Sequence, residues 1–136
     1  ARGLMQIMPA TGKSISKQLK LGYSKKNDLL ALDVNVSMGS YYVKKLMARF
    51  QSFPIAIAAY NAGPSRAKVW KNDSSSSLSG AAFTESIPFD ETRNYVKTVL
   101  SSAIIYSRIY DDAPPFGLRT NKHSFVILNE LLGILN

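Results

Sequence analysis

The chain has 136 residues, of which 46% are hydrophobic and 19% charged, a composition typical of one globular domain and not of a disordered chain. The absence of cysteine excludes disulfides and cysteine catalysis, and a single histidine, His123, all but excludes a histidine metal site or a Ser-His triad. No apolar run approaches the ~20 residues that a membrane-spanning helix needs. We therefore expect no metal, no cofactor and no membrane span in this chain.

The net charge of +8 is unevenly distributed. Residues 1–68 hold eleven bases and two acids, whereas residues 69–136 hold six bases and seven acids. A basic half favours an anionic partner such as nucleic acid, an acidic membrane or an acidic polymer. The bases are dispersed, with never more than two adjacent, which is also typical of an ordinary solvated face. Interleaved aromatic and basic residues occur only at 41–45, so we expect no nucleic-acid partner.

The first third of the chain predicts two helices. Pro9 is predicted to end a short apolar segment, and Thr11 to cap a helix over about 12–20 that stops at Gly22. A second helix follows from apolar residues at helical spacing between 36 and 50.

One face of this second helix carries small residues. Gly39 and Ser40 lie among its apolar residues and are predicted to let another helix approach closely. The opposite side carries Tyr41, Lys45 and Arg49, so this helix is expected to present bases outward.

The middle of the chain predicts a buried helix. Residues 54–63 start with proline, are apolar on every side and end at glycine, which indicates a central helix. A short helix is predicted over 65–71, and the serine-rich stretch 72–80 is predicted to be a loop.

A last long helix is predicted from the acids at 90–91, which favour a helix start, to about Tyr110. Residues 111–136 form a predicted tail with a closing helix over about 125–132. Five or six helices and little strand signal indicate a mostly α domain over 1–110, with little or no β structure.

Three segments are more specific than helical patterning requires. They are GLMQIMP at 3–9, AYNAG at 59–63 and IPFDETRNYV at 87–96. In this order they resemble the soluble lytic murein transglycosylases, whose catalytic domain is similar to goose-type lysozyme. The resemblance runs from Ala1 to about Tyr110. It therefore implies a lysozyme-like helical fold.

The resemblance also implies a substrate and a reaction. This family cleaves the β-1,4 bond between N-acetylmuramic acid and N-acetylglucosamine in peptidoglycan and leaves a 1,6-anhydromuramyl end. One glutamic acid protonates the leaving oxygen, and its carboxylate then takes the proton from the muramyl 6-hydroxyl, which attacks C1. The substrate's own acetamide stabilises the intermediate, so no second catalytic carboxylate is needed.

The family's catalytic glutamate belongs to a Glu-Ser pair shortly before the GLMQ segment. Here only two residues precede Gly3, and every acid lies at residue 28 or later. We therefore expect the chain as written to be a fragment that holds no general acid of its own, with the expected glutamate upstream of Ala1.

Six residues are implied by the resemblance to bind substrate: Met5, Gln6, Tyr60, Asn61, Glu91 and Tyr95. The first pair matches positions that line the sugar sites. The second matches a Tyr-Asn pair whose polar groups face the acid and the substrate acetamide. The third matches a motif that orients groups near the catalytic carboxylate and the muramyl sugar, and its spacing of four places both side chains on one face of a helix.

Five of the six candidates also have a structural interpretation. Met5 could be core filler, Gln6 a turn residue that bonds the backbone, and Asn61 a helix-end residue. Glu91 could serve only the helix dipole, and Tyr95 could be core-edge packing. Three further residues are interpreted as structural: Met8 as core filler, Glu85 and Asp90.

Two other functions stay open. The chain could be a non-catalytic glycan-binding or scaffold remnant, or a goose-type lysozyme that hydrolyses instead of cyclising. In each case the expected partner is peptidoglycan. The family resemblance implies the bacterial periplasm or cell envelope, and the sequence leaves the oligomeric state open.

Overall fold

A computed structural model describes residues 1–20, 26–73 and 80–109. Helices dominate these ranges, as predicted, and they contain no strand; an isolated bridge pairs Arg2 with Ile7. The elements in chain order are α1 (Pro9–Leu19), a 3-10 helix (Lys26–Leu30), α2 (Leu32–Phe50), α3 (Phe53–Ala62), α4 (Pro64–Asp73), α5 (Gly80–Ser86) and α6 (Asp90–Ile109). The described part therefore has six α-helices, of which five were predicted and α5 was not; the predicted closing helix lies outside the described residues.

The start of α1 differs from the prediction. Pro9 begins the helix instead of ending the segment before it, and Met8, with extended backbone, takes the cap position that was predicted for Thr11. Proline suits the first helical position because its φ is already helical and its missing N–H has no partner there in any case. Met8 is 56% exposed, so its interpretation as core filler was wrong. The helix ends at Leu19 with Lys20 in the left-handed conformation, and Gly22 lies outside the described residues.

Helix α2 begins four residues before the predicted apolar stretch. Met38, Leu46 and Phe50 are buried on it, whereas Val36, predicted to face inward, is 37% exposed. Lys45 and Arg49 are exposed, as predicted.

Helix α3 is buried up to Ala59, as its composition predicted, but its C-terminal end is not, because Asn61 is exposed. Every residue from Phe53 to Ala59 is buried, and α3 packs against α4, α5 and α6. A helix that is apolar on every side is stable only when other elements cover it all round. The three helices that surround α3 supply that cover.

The remaining helices frame α3. Helix α6 begins at Asp90, as predicted, and buries Val96, Leu100 and Ala103. Helix α4 is longer than predicted, since Asn72 and Asp73 are helical and not part of a loop. Helix α5 was missed, because its seven residues are too few to show an apolar period. Residues 74–79 and 110–136, with the predicted closing helix and His123, lie outside the described residues.

The chain divides into two compact units, Ala1–Ala48 and Arg49–Asn136. Among the described helices, none combines the length and the apolarity that crossing a membrane requires.

Candidate functional site

The segment that carries Met5 and Gln6 is a tight turn. Backbone hydrogen bonds join Arg2 and Ile7 in both directions, with N···O distances of 3.0 and 2.9 Å. Gly3 and Gln6 both have positive φ, at 70° and 49°. The exposed Gln6 donates from its side-chain nitrogen to the Gly3 carbonyl oxygen at 2.8 Å. The turn-residue interpretation of Gln6 thus describes its side chain in this structure, and a role in sugar binding stays a prediction.

The turn is held by Asn35, a residue that the sequence analysis did not single out. The Asn35 side chain is fully buried at 0% exposure and lies in the first turn of α2. It accepts from the Met5 backbone N–H at 2.6 Å and donates to the carbonyl oxygens of Arg2 and Leu29, each at 2.9 Å. The available signal was its spacing, because Asn35 stands three and four residues before Met38 and Gly39 on the buried side of α2.

Met5 is half-buried and lies against Gly39. A Cβ atom on Gly39 would lie 2.6–2.8 Å from the Cβ, Cγ and Cε atoms of Met5, closer than real contacts allow. Gly39 thus permits a close approach, but the prediction that another helix makes it was wrong, because the nearest neighbour is the Met5 side chain. Ser40, predicted to share this role, is exposed.

Asn61 and Thr92 join the second motif to the third. Asn61 is exposed at the C-terminal end of α3, and Gly63, with φ 96°, terminates the helix just beyond it. Thr92, the third residue of α6, is 2% exposed and donates from Oγ1 to Asn61 Oδ1 at 2.7 Å. The two motifs are 31 residues apart in sequence and meet through this bond. Tyr60, the neighbour of Asn61, is half-buried.

Glu91 and Tyr95 lie on the first turns of α6, on either side of Thr92. Both are exposed, Tyr95 to 37%. Partial burial raises the pKa of the Tyr95 phenol above its ordinary value of 10, because removal from water disfavours the phenolate. Tyr95 therefore keeps its proton at neutral pH and can donate a hydrogen bond.

Ion pairs and a backbone contact secure the start of α6. Arg93 donates to the Ile87 carbonyl oxygen at 2.8 Å and pairs with Asp90. Lys97 pairs with Glu85 at 2.6 Å. Both carboxylates thus pair with bases on α6, and the structural interpretation of Glu85 and Asp90 stays a prediction.

The structure thus brings Asn61 into contact with the helix that carries Glu91 and Tyr95. Met5 and Gln6 lie in the 1–48 unit, and the other four candidates lie in the 49–136 unit. Within the described ranges, no group of three or more His, Cys, Asp or Glu side chains is arranged to hold a metal ion. The candidate side chains offer amide, phenol and carboxylate groups to a ligand.

A family model for the transglycosylase SLT domain matches residues 1–81 of the chain, more than half of its length. The chain belongs to this family. A second model, for the soluble lytic transglycosylase helical domain, matches residues 86–115 of this SLT-domain chain and so includes the third motif.

Similar proteins agree with this assignment. The SLT-domain chain is 41% identical over 116 residues to the soluble lytic murein transglycosylase of Escherichia coli K12, covering 84% of the chain and 18% of that protein. It is 42% identical over 108 residues to the enzyme of the same name from Salmonella typhimurium, covering 78% of the chain and 17% of that protein.

A solved structure supports the fold. The X-ray structure of lytic transglycosylase Slt from Pseudomonas aeruginosa, an inactive mutant with glutamine in place of glutamate, matches with a TM-score of 0.78. The identity is 38%, and the match covers 91% of this chain and 20% of that one. The chain thus spans about a fifth of the length of these relatives.

Proposed function

We propose that this chain forms the sugar-binding part of a lytic transglycosylase site. The bond cleaved is the β-1,4 link between N-acetylmuramic acid and N-acetylglucosamine in peptidoglycan, and the product carries a 1,6-anhydromuramyl end. The observation that carries the proposal is the bond from Thr92 to Asn61, because it brings the amide of the second motif to the helix that bears Glu91 and Tyr95. Two observations support peptidoglycan as the substrate class: the chain belongs to the transglycosylase SLT-domain family, and its relatives are named as murein transglycosylases.

In the proposed reaction one residue transfers protons and the others bind the substrate. The glutamate of the family's Glu-Ser pair protonates the glycosidic oxygen and then takes the proton from the muramyl 6-hydroxyl as the O6–C1 bond forms. None of the six candidate residues is given that role. Tyr60 and Asn61 contact the acetamide, while Glu91 and Tyr95 orient groups beside the muramyl sugar. Met5 and Gln6 line further sugar positions.

The partner in this proposal is the glycan strand of peptidoglycan, in the periplasm or cell envelope. The excess of bases in residues 1–68 would attract the carboxylates of peptidoglycan stem peptides. Such attraction acts at long range and weakens as salt is added. We expect retention on purified sacculi to fall with ionic strength without vanishing.

Product analysis tests the reaction. A form of the protein that includes the Glu-Ser segment is incubated with purified sacculi, and the masses of the released muropeptides are measured by mass spectrometry. Transglycosylation predicts anhydro-muropeptides. Products one water heavier would assign the site to a goose-type hydrolase instead. Asn61→Ala and Tyr95→Phe should each lower turnover far more than they lower the melting temperature, and full activity in both would refute the site assignment.

Binding tests the non-catalytic alternative. The 136-residue chain is mixed with sacculi or with DNA over a range of salt concentrations, and the bound fraction is measured after centrifugation or filtration. The chain would be identified as a glycan-binding module if it binds sacculi while the form that includes the Glu-Ser segment releases no muropeptides. Steeply salt-dependent binding to DNA, with no binding to sacculi, would contradict the proposal altogether.

A further inference from the structure

The Asn61 side chain has two ends with opposite hydrogen-bonding character. Its Oδ1 atom can only accept, and its Nδ2 group can only donate. The Thr92 hydroxyl donates to Oδ1 at 2.7 Å. The bond uses one lone pair of Oδ1 and fixes the direction of the amide, so the exposed Asn61 can offer its NH₂ group to a ligand as a donor.

The position of Thr92 stabilises its hydrogen bond to Asn61. Thr92 is only 2% exposed, so water has little access to its hydroxyl. A threonine inside a helix commonly bonds the carbonyl of the preceding turn, but Thr92 is the third residue of α6 and has no such turn before it. Its hydroxyl is directed instead to the end of α3, a helix held in place by burial of all residues from Phe53 to Ala59.

We propose that Thr92 is a positioning residue that holds Asn61 as a hydrogen-bond donor. The site would then favour a sugar that extends an acceptor toward Asn61, as the carbonyl oxygen of an N-acetyl group does, over a sugar with the shorter hydroxyl in its place. The inference rests on the proposed function for its ligand class. It adds the residue that sets the direction of the amide and the polarity of the contact.

Substitutions at Thr92 separate orientation from packing. Thr92→Val keeps the shape of the buried side chain and removes only the hydroxyl, so Asn61 is free to turn. Thr92→Ser keeps the hydroxyl. Thr98→Val is a matched control, because Thr98 is exposed on the same helix and the chemical change is the same. Asn61→Asp keeps an acceptor for Thr92 but presents an oxygen where the wild type presents NH₂.

The experiment measures binding of the 136-residue chain to two neutral β-1,4 oligosaccharides by calorimetry or NMR titration. One is the tetramer of N-acetylglucosamine, and the other is cellotetraose, which has a hydroxyl in place of each acetamide. Thr92→Val should weaken binding of the N-acetylated tetramer about fivefold, the equivalent of one net hydrogen bond, and leave binding of cellotetraose unchanged. Thr92→Ser and Thr98→Val should behave as wild type, and Asn61→Asp should lose more affinity for the N-acetylated tetramer than Thr92→Val.

The outcomes distinguish this inference from the proposed function. Equal affinity of wild type and Thr92→Val for the N-acetylated tetramer would overturn the inference while leaving glycan binding intact. An equal loss for both sugars would also overturn it, because it would indicate a general structural effect. A wild-type chain that binds neither the tetramer nor sacculi would overturn the proposed function, and the inference with it.

Discussion

Asn35 accepts a hydrogen bond from the backbone N–H of Met5, 30 residues earlier in the chain, at 2.6 Å. The same carboxamide donates to the carbonyl oxygens of Arg2 and Leu29, so one buried side chain joins the turn that carries Met5 and Gln6 to Leu29. A polar side chain at 0% exposure is stable only when its partners are in place. The geometry of this turn therefore depends on a residue of α2.

Asn35→Ala should be strongly destabilising. It removes three hydrogen bonds and leaves the Leu29 carbonyl, the one partner bonded in fully buried surroundings, without its donor. We expect the free energy of unfolding to fall by about 2–3 kcal/mol, measured by urea denaturation. Asn94→Ala, at an exposed position of α6, is the control and should change stability by less than ~0.5 kcal/mol. Equal effects of the two substitutions would contradict the role given to Asn35.

Gly39→Ala should displace Met5. Alanine improves helix propensity by about 0.5–1 kcal/mol relative to glycine, but the new Cβ would lie 2.6–2.8 Å from three atoms of Met5. One of those atoms is the Met5 Cβ, which cannot move without its backbone. We expect a shifted Met5 methyl resonance in the NMR spectrum and no gain in stability. Ser40→Ala, at the exposed neighbouring position, should leave the Met5 signal in place. A more stable variant with an unmoved Met5 signal would show that the contact is looser than described.

Gly3→Ala and Gly63→Ala should differ in severity. Both glycines have positive φ, at 70° and 96°, which costs a residue with a side chain about 1–3 kcal/mol. A Cβ on Gly63 meets no described atom within 4 Å, so only this backbone cost is expected. A Cβ on Gly3 would also overlap the Asn35 carboxamide and the Leu29 carbonyl oxygen. Urea denaturation should therefore rank Gly3→Ala as the more destabilising, and the reverse order would refute the packing described around Asn35.

Tyr95 should titrate at higher pH than a tyrosine in water. Its pKa is raised by burial, so the folded state holds the phenol proton more tightly than the unfolded state does. The associated stability is fully present below the ordinary pKa of 10 and is lost as the pH rises from that value through the raised folded pKa. The difference between the ultraviolet titrations of wild type and Tyr95→Phe isolates this group. In urea the pKa of Tyr95 obtained from this difference should return to its ordinary value. A pKa at or below 10 in the folded protein would contradict the burial of the ring.

Several elements were predictable because their signals are local. The apolar run at 54–59 has no polar face to turn to water, so burial on all sides was the only stable arrangement for it as a helix. The acids at 90–91 and the apolar spacing after them predicted α6 in the same way. The predicted start of α1 was wrong. Proline can either interrupt a helix or occupy its first position, and the local sequence favoured neither of these two roles. Helix α5 and the 3-10 helix were missed because they are shorter than the window in which a period can be read.

The helical class, the burial of α3 and the three motifs that relate the chain to its family were all predictable from the sequence. Those features follow from spacing along the chain and from residue type. The atoms that those motifs contact depend on the three-dimensional arrangement of the chain: Asn35 bonds Met5, and Thr92 bonds Asn61. These partners are 30 and 31 residues apart, and a hydrogen bond forms only when donor and acceptor meet within about 3 Å at the correct angle. Hydrophobic periodicity specifies which face of a helix is buried, but it does not specify the ångström-scale positions that select one polar partner over another.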